Sequence, residues 1–160
     1  MKILILSDTH RAHKNYNKAL ENEGGIDMLI HLGDVEGGEY YIEETAQCPV
    51  HMVAGNNDFF SPLPREEELY IGKKKVLITH GHHYYVSSGN ERIAKEAKKR
   101  GADIVMYGHT HKPVLEKRDG LLIINPGSIS YPRQQGRQAT YMIMNVDDEN
   151  EINIELKYVD

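Results

Sequence analysis

Cysteine is almost absent from this chain: Cys48 is the only one among 160 residues. No intrachain disulfide can form, and a reducing, cytoplasmic compartment suits such a composition. The lone thiol stands beside Pro49 with no chemical context, so it is not read as a nucleophile. Long apolar runs are also missing. The opening stretch MKILILS has an apolar core of only four residues, Ile3–Leu6, far short of a signal-peptide core. Nothing approaches the ~18 apolar residues of a membrane span, so no membrane partner is expected. Basic charge is scarce as well, with 19 Lys and Arg against 24 Asp and Glu, a net charge of -5 and a pI near 6.0. The basic clusters, GKKKV (Gly72–Val76) and AKKRG (Ala97–Gly101), read as a hairpin turn and a helix end. Neither makes a phosphate-tracking groove, and double-stranded nucleic acid is not expected as a partner.

What is present fits one globular domain over residues 1–160, large enough to bury roughly 68–70% of its unfolded surface. Ile3–Leu6 reads as a strand buried on both faces. A helix follows over 13–24, with Tyr16, Ala19, Leu20 and Glu23 at helical spacing and Gly24-Gly25 at its end. Met28–Leu32 is a second strand, Glu39–Ala46 a second helix and Val50–Ala54 a third strand. That β-α-β-α-β order implies a parallel sheet with helices against it. After Pro62 and Pro64 the pattern changes. Glu68–Ile71 and Lys74–Thr79 form a hairpin, and Ser88-x-x-Glu91 reads as a capping box opening a helix that runs to Arg100. Asp103–Met106 is a short strand. From Val114 the chain reads as strand, Asp-Gly turn and strand, then two long strands near Gln138–Val146 and Ile152–Val159. The expected fold is mixed α/β, a four-layer α/β/β/α sandwich of two mixed sheets flanked by helices.

The informative feature is where polar residues fall. Successive strands end in SDTH (Ser7–His10), LGDVEGG (Leu32–Gly38), AGNND (Ala54–Asp58), THGHH (Thr79–His83) and YGHTH (Tyr107–His111). Ligand sites of open α/β sheets lie beyond the C-terminal strand ends. Chance alone supplies about half an H-x-H pair in a chain with 9 histidines, so His80/His82 or His109/His111 means little by itself. Any one aspartate or asparagine could equally be a cap or a turn residue. Five coincidences at one sheet edge are different. Glycines before Asp34, Asn56 and His109 let the chain bend there, and in extended backbone His109 and His111 would share a side. Asp8, His10, Asp34, Asn56, His80, His109 and His111 offer carboxylate, amide oxygen and imidazole but no thiolate. That set suits Mn²⁺, Fe²⁺, Ni²⁺ or Zn²⁺ rather than a structural thiolate zinc. Seven donors exceed what one ion accepts with a position left open, so two ions sharing a carboxylate fit better.

The ordered pattern D-x-H, G-D, G-N-x-D, an isolated H, then G-H-x-H resembles the calcineurin-like metallophosphoesterases. The chain looks like their short, single-domain bacterial and archaeal phosphodiesterase branch, and INPGSISYPR (Ile124–Arg133) resembles that branch's C-terminal signature. The resemblance implies two divalent ions, Mn²⁺ foremost. Asp8, His10, Asp34 and His111 would hold one; Asp34, Asn56, His80 and His109 the other. Asp34 and Asn56 would thus be catalytic as well as metal-binding, a hydroxide bridging the ions would attack a small phosphodiester, and no protein nucleophile would be needed. Many relatives carry G-N-H-D/E where this chain has GNND. Asn57 cannot usefully donate a proton, so diesters with good leaving groups are expected. His82 or His83 could substitute, and His82 is the residue carried forward as catalytic. Asp58 is expected to fix its loop, while Arg133 either clamps a phosphate oxygen or pairs with a carboxylate. Two alternatives accompany this reading: a phosphomonoesterase, and a protein-binding scaffold like a eukaryotic retromer subunit of similar fold, for which Tyr84 and Tyr85 could serve a partner. A homo-oligomer is compatible with all of them.

Overall fold

The first strand, β1 (Lys2–Leu6), is aliphatic at four successive positions and sends them in two directions. In the computed structural model, which describes residues 1–160, Ile3 and Ile5 enter one core while Leu4 and Leu6 enter another. A strand buried on both faces needs a layer on each side, and the chain supplies them. It continues as α1 (Lys14–Glu23), β2 (Met28–His31), α2 (Glu39–Ala46), β3 (Val50–Met52), β4 (Glu66–Ile71) and β5 (Lys74–Thr79). Two 3₁₀ turns, His82–Tyr84 and Val86–Ser88, precede α3 (Glu91–Lys99). Then come β6 (Ile104–Met106), β7 (Pro113–Arg118), β8 (Leu121–Pro126), β9 (Thr140–Val146) and β10 (Ile152–Tyr158).

The strands form two five-stranded sheets, ordered β10-β9-β1-β2-β3 and β4-β5-β6-β8-β7. In the first, β1, β2 and β3 are parallel, and β9 pairs antiparallel with both β1 and β10. In the second, β5, β6 and β8 are parallel, with β4 and β7 antiparallel at the two edges. Between the sheets lies the central core, where Ile3, Ile5 and Ile30 share one cluster with Ile78, Met106 and Ile124. Tyr16, Ala19, Ile42 and Ala46 bring α1 and α2 onto the outer face of the first sheet, against Leu4, Leu6 and Leu29. Ile93, Ala94 and Ala97 bring α3 onto the outer face of the second, against Leu77, Val105 and Ile123. The architecture is the four-layer sandwich that the strand and helix pattern implies.

One local expectation fails. Ser88 lies in a 3₁₀ turn and does not cap α3; the cap position belongs to Asn90, which makes no side-chain cap bond. Its amide oxygen instead accepts from the Tyr107 hydroxyl at 2.7 Å, so a tertiary contact takes the group that a local cap would use. No helix is long and apolar enough to cross a membrane.

Because Ile5 is fully buried between the sheets, Ile5→Ala should cost about 2–5 kcal/mol in urea unfolding. Leu115→Ala, on half-exposed β7, should stay within about 0.5 kcal/mol of the parent.

Candidate functional site

The turns after β1, β2, β3, β5 and β6 meet at one edge of the sandwich, and all seven expected ligand residues come together there. Five of them hold left-handed backbone: Asp8 (φ 58°), His10 (46°), Asp34 (57°), His109 (66°) and His111 (59°). Non-glycine residues in that region cost of order 1–3 kcal/mol each and persist only where the surroundings over-determine them. This corrects the premise about the H-x-H pair. His109 and His111 do not share a side of an extended strand; each turns separately, toward a different set of donors. The glycine reading also needs correction. Gly33 does bend the chain, at φ 100°, but Gly55 and Gly108 are absent from the positive-φ positions. They are needed for close approach: a Cβ at Gly55 would overlap Asp34 Oδ1, and one at Gly108 would overlap Ser7 Oγ and lie 2.9 Å from Asp8 Oδ2.

Asp8, His10, Asp34 and His111 form the first donor set, each offering an atom within 4.8 Å of the others. His111 Nε2 lies 3.2 Å from Asp8 Oδ1 and 3.3 Å from His10 Nε2, and His10 Nε2 lies 3.7 Å from Asp34 Oδ2. The tautomers follow from the far sides of the rings. His111 Nδ1 donates to the Tyr131 carbonyl at 2.6 Å, and His10 Nδ1 faces Glu36 Oε2 at 3.4 Å. His111 Nδ1–H is therefore engaged outward and its Nε2 turns a lone pair inward, the arrangement that orients metal-binding histidines, and the Glu36 carboxylate favours a proton on the same side of His10.

A second set adjoins the first across Asp34. His80 Nδ1 donates to the Leu32 carbonyl at 2.7 Å, leaving Nε2 to face Asn56 Oδ1 at 3.0 Å and Asp34 Oδ2 at 3.4 Å. His109 Nδ1 meets the same Asn56 oxygen at 3.0 Å. A nitrogen lone pair against two oxygens is repulsive unless a proton or a metal ion lies between them. Asp34 is positioned by Asn57, whose backbone N–H and amide each donate to one of its carboxylate oxygens at 2.9 Å. Asp58 does hold the loop: it accepts from the backbone N–H of Asp34, Glu36 and Gly55.

Charge follows this geometry. Burial pushes Asp34 up, but the His80 ring and the Asn57 donors outweigh it and hold the carboxyl well below its usual range. Burial likewise opposes ionisation of Asp8 and is outweighed by His111 and His80, so its pKa is lowered. His80 is raised, because Asp34 and Asp8 outweigh the burial of its ring. Asp8 Oδ1 is sealed from solvent and has no hydrogen-bond partner. A buried carboxylate oxygen among inward imidazole lone pairs is costly without a cation, and the oxygen-and-imidazole donor set fits a divalent metal.

His82 stands on the 3₁₀ turn with its ring 5.4 Å from His80 and 6.0 Å from His109. Burial, then His80 and His83, push it down to about 4. Arg133 makes no ion pair; its backbone N–H donates to the His111 carbonyl at 3.0 Å, and its side chain lines an open pocket beside His10 and His111.

Several supporting residues escape a reading based on ligand types. Buried His31 accepts from Gly33 N–H at Nδ1 (3.2 Å) and meets Thr9 Oγ1 at Nε2 (3.0 Å), tying the Asp8 turn to the Asp34 turn. Asn125 donates to the Gly108 carbonyl, and Ser128 to the Asp8 carbonyl. The N-P-G-S run was the available signal for Asn125 and Ser128, although its spacing says nothing of which carbonyls they hold. For His31, inside an aliphatic strand, there was no signal.

Residues 1–149 match the calcineurin-like phosphoesterase superfamily domain. The probable metallophosphoesterase YsnB of Bacillus subtilis is 34% identical over 150 residues, covering 93% of this chain and 86% of its own. A phosphodiesterase of Methanocaldococcus jannaschii is 35% identical over 146 residues, covering 79% of this chain and 83% of its own. The crystal structure of Vps29 from Entamoeba histolytica, complexed with zinc, superposes with a TM-score of 0.79 at 24% identity and covers 100% of both chains. At that identity it speaks to the fold alone.

His31 generates a pH prediction. Burial holds its folded-state pKa at about 4, against an ordinary 6.5. The unfolded chain takes up the proton first, so stability is complete above pH 6.5 and declines as pH falls toward 4, by on the order of 3 kcal/mol. His31→Gln keeps a donor directed at Thr9 without titrating. Its urea-unfolding free energy should fall less steeply than the parent's between these pH values; parallel slopes would assign the acid sensitivity to other groups.

Proposed function

We propose, from the premise that the chain belongs to the calcineurin-like phosphoesterase superfamily, that it is a dinuclear-metal-dependent phosphodiesterase. The observation that carries this is Asp8 Oδ1, buried and unpartnered beside inward-facing imidazoles. Asp8, His10, Asp34 and His111 would hold one divalent ion, and Asp34, Asn56, His80 and His109 the other, with Asp34 common to both. The absence of thiolate favours Mn²⁺, with Ni²⁺, Fe²⁺ or Zn²⁺ chemically admissible. When bound, such a pair supplies charge neutralisation at phosphoryl oxygens and an activated water for in-line displacement.

The chain's own part is orientation and proton control. Asn57 fixes the carboxylate plane of Asp34, and Asn56 Oδ1 is held at equal 3.0 Å distances from His80 Nε2 and His109 Nδ1. His82 is the expected substitute for the missing acid, but burial and the neighbouring His80 and His83 lower its pKa to about 4, so at physiological pH the ring is neutral and would serve as a proton acceptor instead. With Asn57 where a general acid would stand, the leaving group departs with its own charge, so diesters of acidic alcohols are preferred substrates. One domain over residues 1–160 would carry all of this in the cytoplasm, acting on a small phosphodiester, as a monomer or a homo-oligomer. A phosphomonoesterase differs only in how the pocket treats the second ester group.

Chelated protein should be inactive toward bis(p-nitrophenyl) phosphate and regain activity with Mn²⁺ or Ni²⁺. If no divalent metal gives turnover above buffer, the protein-binding scaffold replaces the enzyme. The ligand assignment has its own test. Anomalous diffraction on metal-soaked variants should show His109→Ala losing the ion at Asn56 and His80, and His111→Ala losing the ion at Asp8 and His10. Asp34→Ala should weaken both, since a shared carboxylate offsets repulsion between two dications. Depletion of the same ion in both histidine variants would mean that one metal owns the pair.

A further inference from the structure

Beside the first donor set the molecule opens into a pocket of about 710 Å³ lined by His10, Glu36, His111, Tyr131, Arg133 and Arg137. That volume exceeds what one phosphodiester group fills and falls within the usual range for small-molecule sites. The chain is acidic overall, at -5, yet this pocket gathers two arginines. Arg100 and Arg118 are matched with carboxylates, Arg11 donates to the Glu36 carbonyl and Arg92 stacks over the Tyr85 ring. Like Arg65, Arg133 and Arg137 make no side-chain ion pair or hydrogen bond within the protein, and unlike it they stand together in one pocket. The pocket's carboxylate, Glu36, is directed to His10 Nδ1 at 3.4 Å.

The two arginines are also held in register with the metal-ligand candidates. His111 is gripped from both sides by their segment, through its Nδ1–H to the Tyr131 carbonyl and through Arg133 N–H to its own carbonyl. The Tyr131 ring meets His10 edge-on, with centroids 5.4 Å apart. A turn closed by Arg137 N–H to Gln134 O and by the Gln134 amide to Gln138 O then presents Arg137. Guanidinium forks carried on backbone that is anchored to a metal-ligand candidate are suited to bidentate recognition of a further anion beside the reacting one.

Resting on the phosphodiesterase reading above, we infer that Arg133 and Arg137 determine specificity, selecting phosphodiesters that carry a second, terminal phosphate close to the scissile one. A terminal phosphate has a charge of about -1.5 to -2 near pH 7 and three acceptor oxygens, which two guanidiniums match in charge and in donor number. A carboxylate would leave one fork unused. The phosphodiester itself, with one negative charge, would be neutralised by the ions that the seven ligand candidates would hold.

The test uses p-nitrophenyl diesters, whose leaving group suits a site without a general acid. They are thymidine 5′-(p-nitrophenyl phosphate) with and without a 3′-phosphate, and thymidine 3′-(p-nitrophenyl phosphate) with and without a 5′-phosphate. Each is assayed on metal-loaded wild type and the Arg133→Gln, Arg137→Gln and double variants. In wild type, kcat/KM for one phosphorylated form should exceed that for its unphosphorylated counterpart by on the order of 10-fold at low ionic strength. The preference should lie in KM, shrink with added salt and fall toward one in the double variant. A wild-type ratio of one for both phosphorylated forms, or a ratio that survives in the double variant, overturns the inference. Calorimetric binding of thymidine 3′,5′-bisphosphate against thymidine 5′-phosphate gives a readout without turnover. If no diester is hydrolysed with any metal, the phosphodiesterase reading fails, and this arm still decides. Tighter binding of the bisphosphate that is lost in the double variant supports the arginine pair; equal binding of the two nucleotides rules it out.

Discussion

Two buried carboxylates facing the lone pairs of three imidazoles are the constraint on which the rest of this structure depends. Left alone, such a cluster would collapse into internal hydrogen bonds or expel its charge. It does neither, because the proton-bearing side of each ring is fixed elsewhere: His10 by Glu36, His80 by the Leu32 carbonyl and His111 by the Tyr131 carbonyl. These outer contacts choose the tautomer, and the tautomer decides that nitrogen lone pairs rather than N–H groups point at Asp8 and Asp34. The electrostatics of the site are thus set one layer away from it, in backbone carbonyls that no list of ligand residue types would include.

Holding those carbonyls still is the work of the fold. β3 and β6 are only three residues long, yet they deliver Asn56 and His109 into contact because both sheets pack on one aliphatic layer. The turns beyond the strands are then pinned to one another. His31 joins the Asp8 and Asp34 turns, Asp58 joins the Asp34 and Asn56 turns, Asn125 holds the Gly108 carbonyl beside His109, and Ser128 fastens the loop after β8 to Asp8. Left-handed backbone at five of the clustered residues, Asp8, His10, Asp34, His109 and His111, is the strain that this cross-bracing sustains.

Much of this could be read in the residues beforehand, for reasons that differ between elements. The four layers were legible because aliphatic runs such as Ile3–Leu6 need cover on both faces, and because helical and strand periodicities alternate before Pro62 and not after. The clustering of Asp, Asn and His was legible because these residues recur where apolar runs stop. What escaped was whatever depends on distant partners. Ser88-x-x-Glu91 has the spacing of a cap, but Asn90 is claimed by Tyr107 from across the core. Gly55 and Gly108 looked like hinges and are instead gaps left for Asp34 and Ser7. His109 and His111 looked like neighbours on a strand, although the chain turns left-handed at each. Local pattern carries no information about which remote atom will occupy the space.

The order of strands in the first sheet bears on how the chain assembles as it is made. β1 lies between β2, which follows it closely, and β9, whose Asn145 sits opposite Lys2. Met142, Met144 and Val146 on β9 complete the layer between the sheets. A ribosome therefore releases β1, β2 and β3, with Asp8, Asp34 and Asn56 already attached, long before the strand that seals their underside exists. During that interval Ile3 and Ile5 sit on an open sheet edge, the kind of surface that invites pairing with another nascent chain. Closing so long a loop is slow, so the interval is not brief. For this protein the vulnerable moment in production is an unfinished sheet awaiting its last strands, and conditions that slow elongation through β9 would lengthen it.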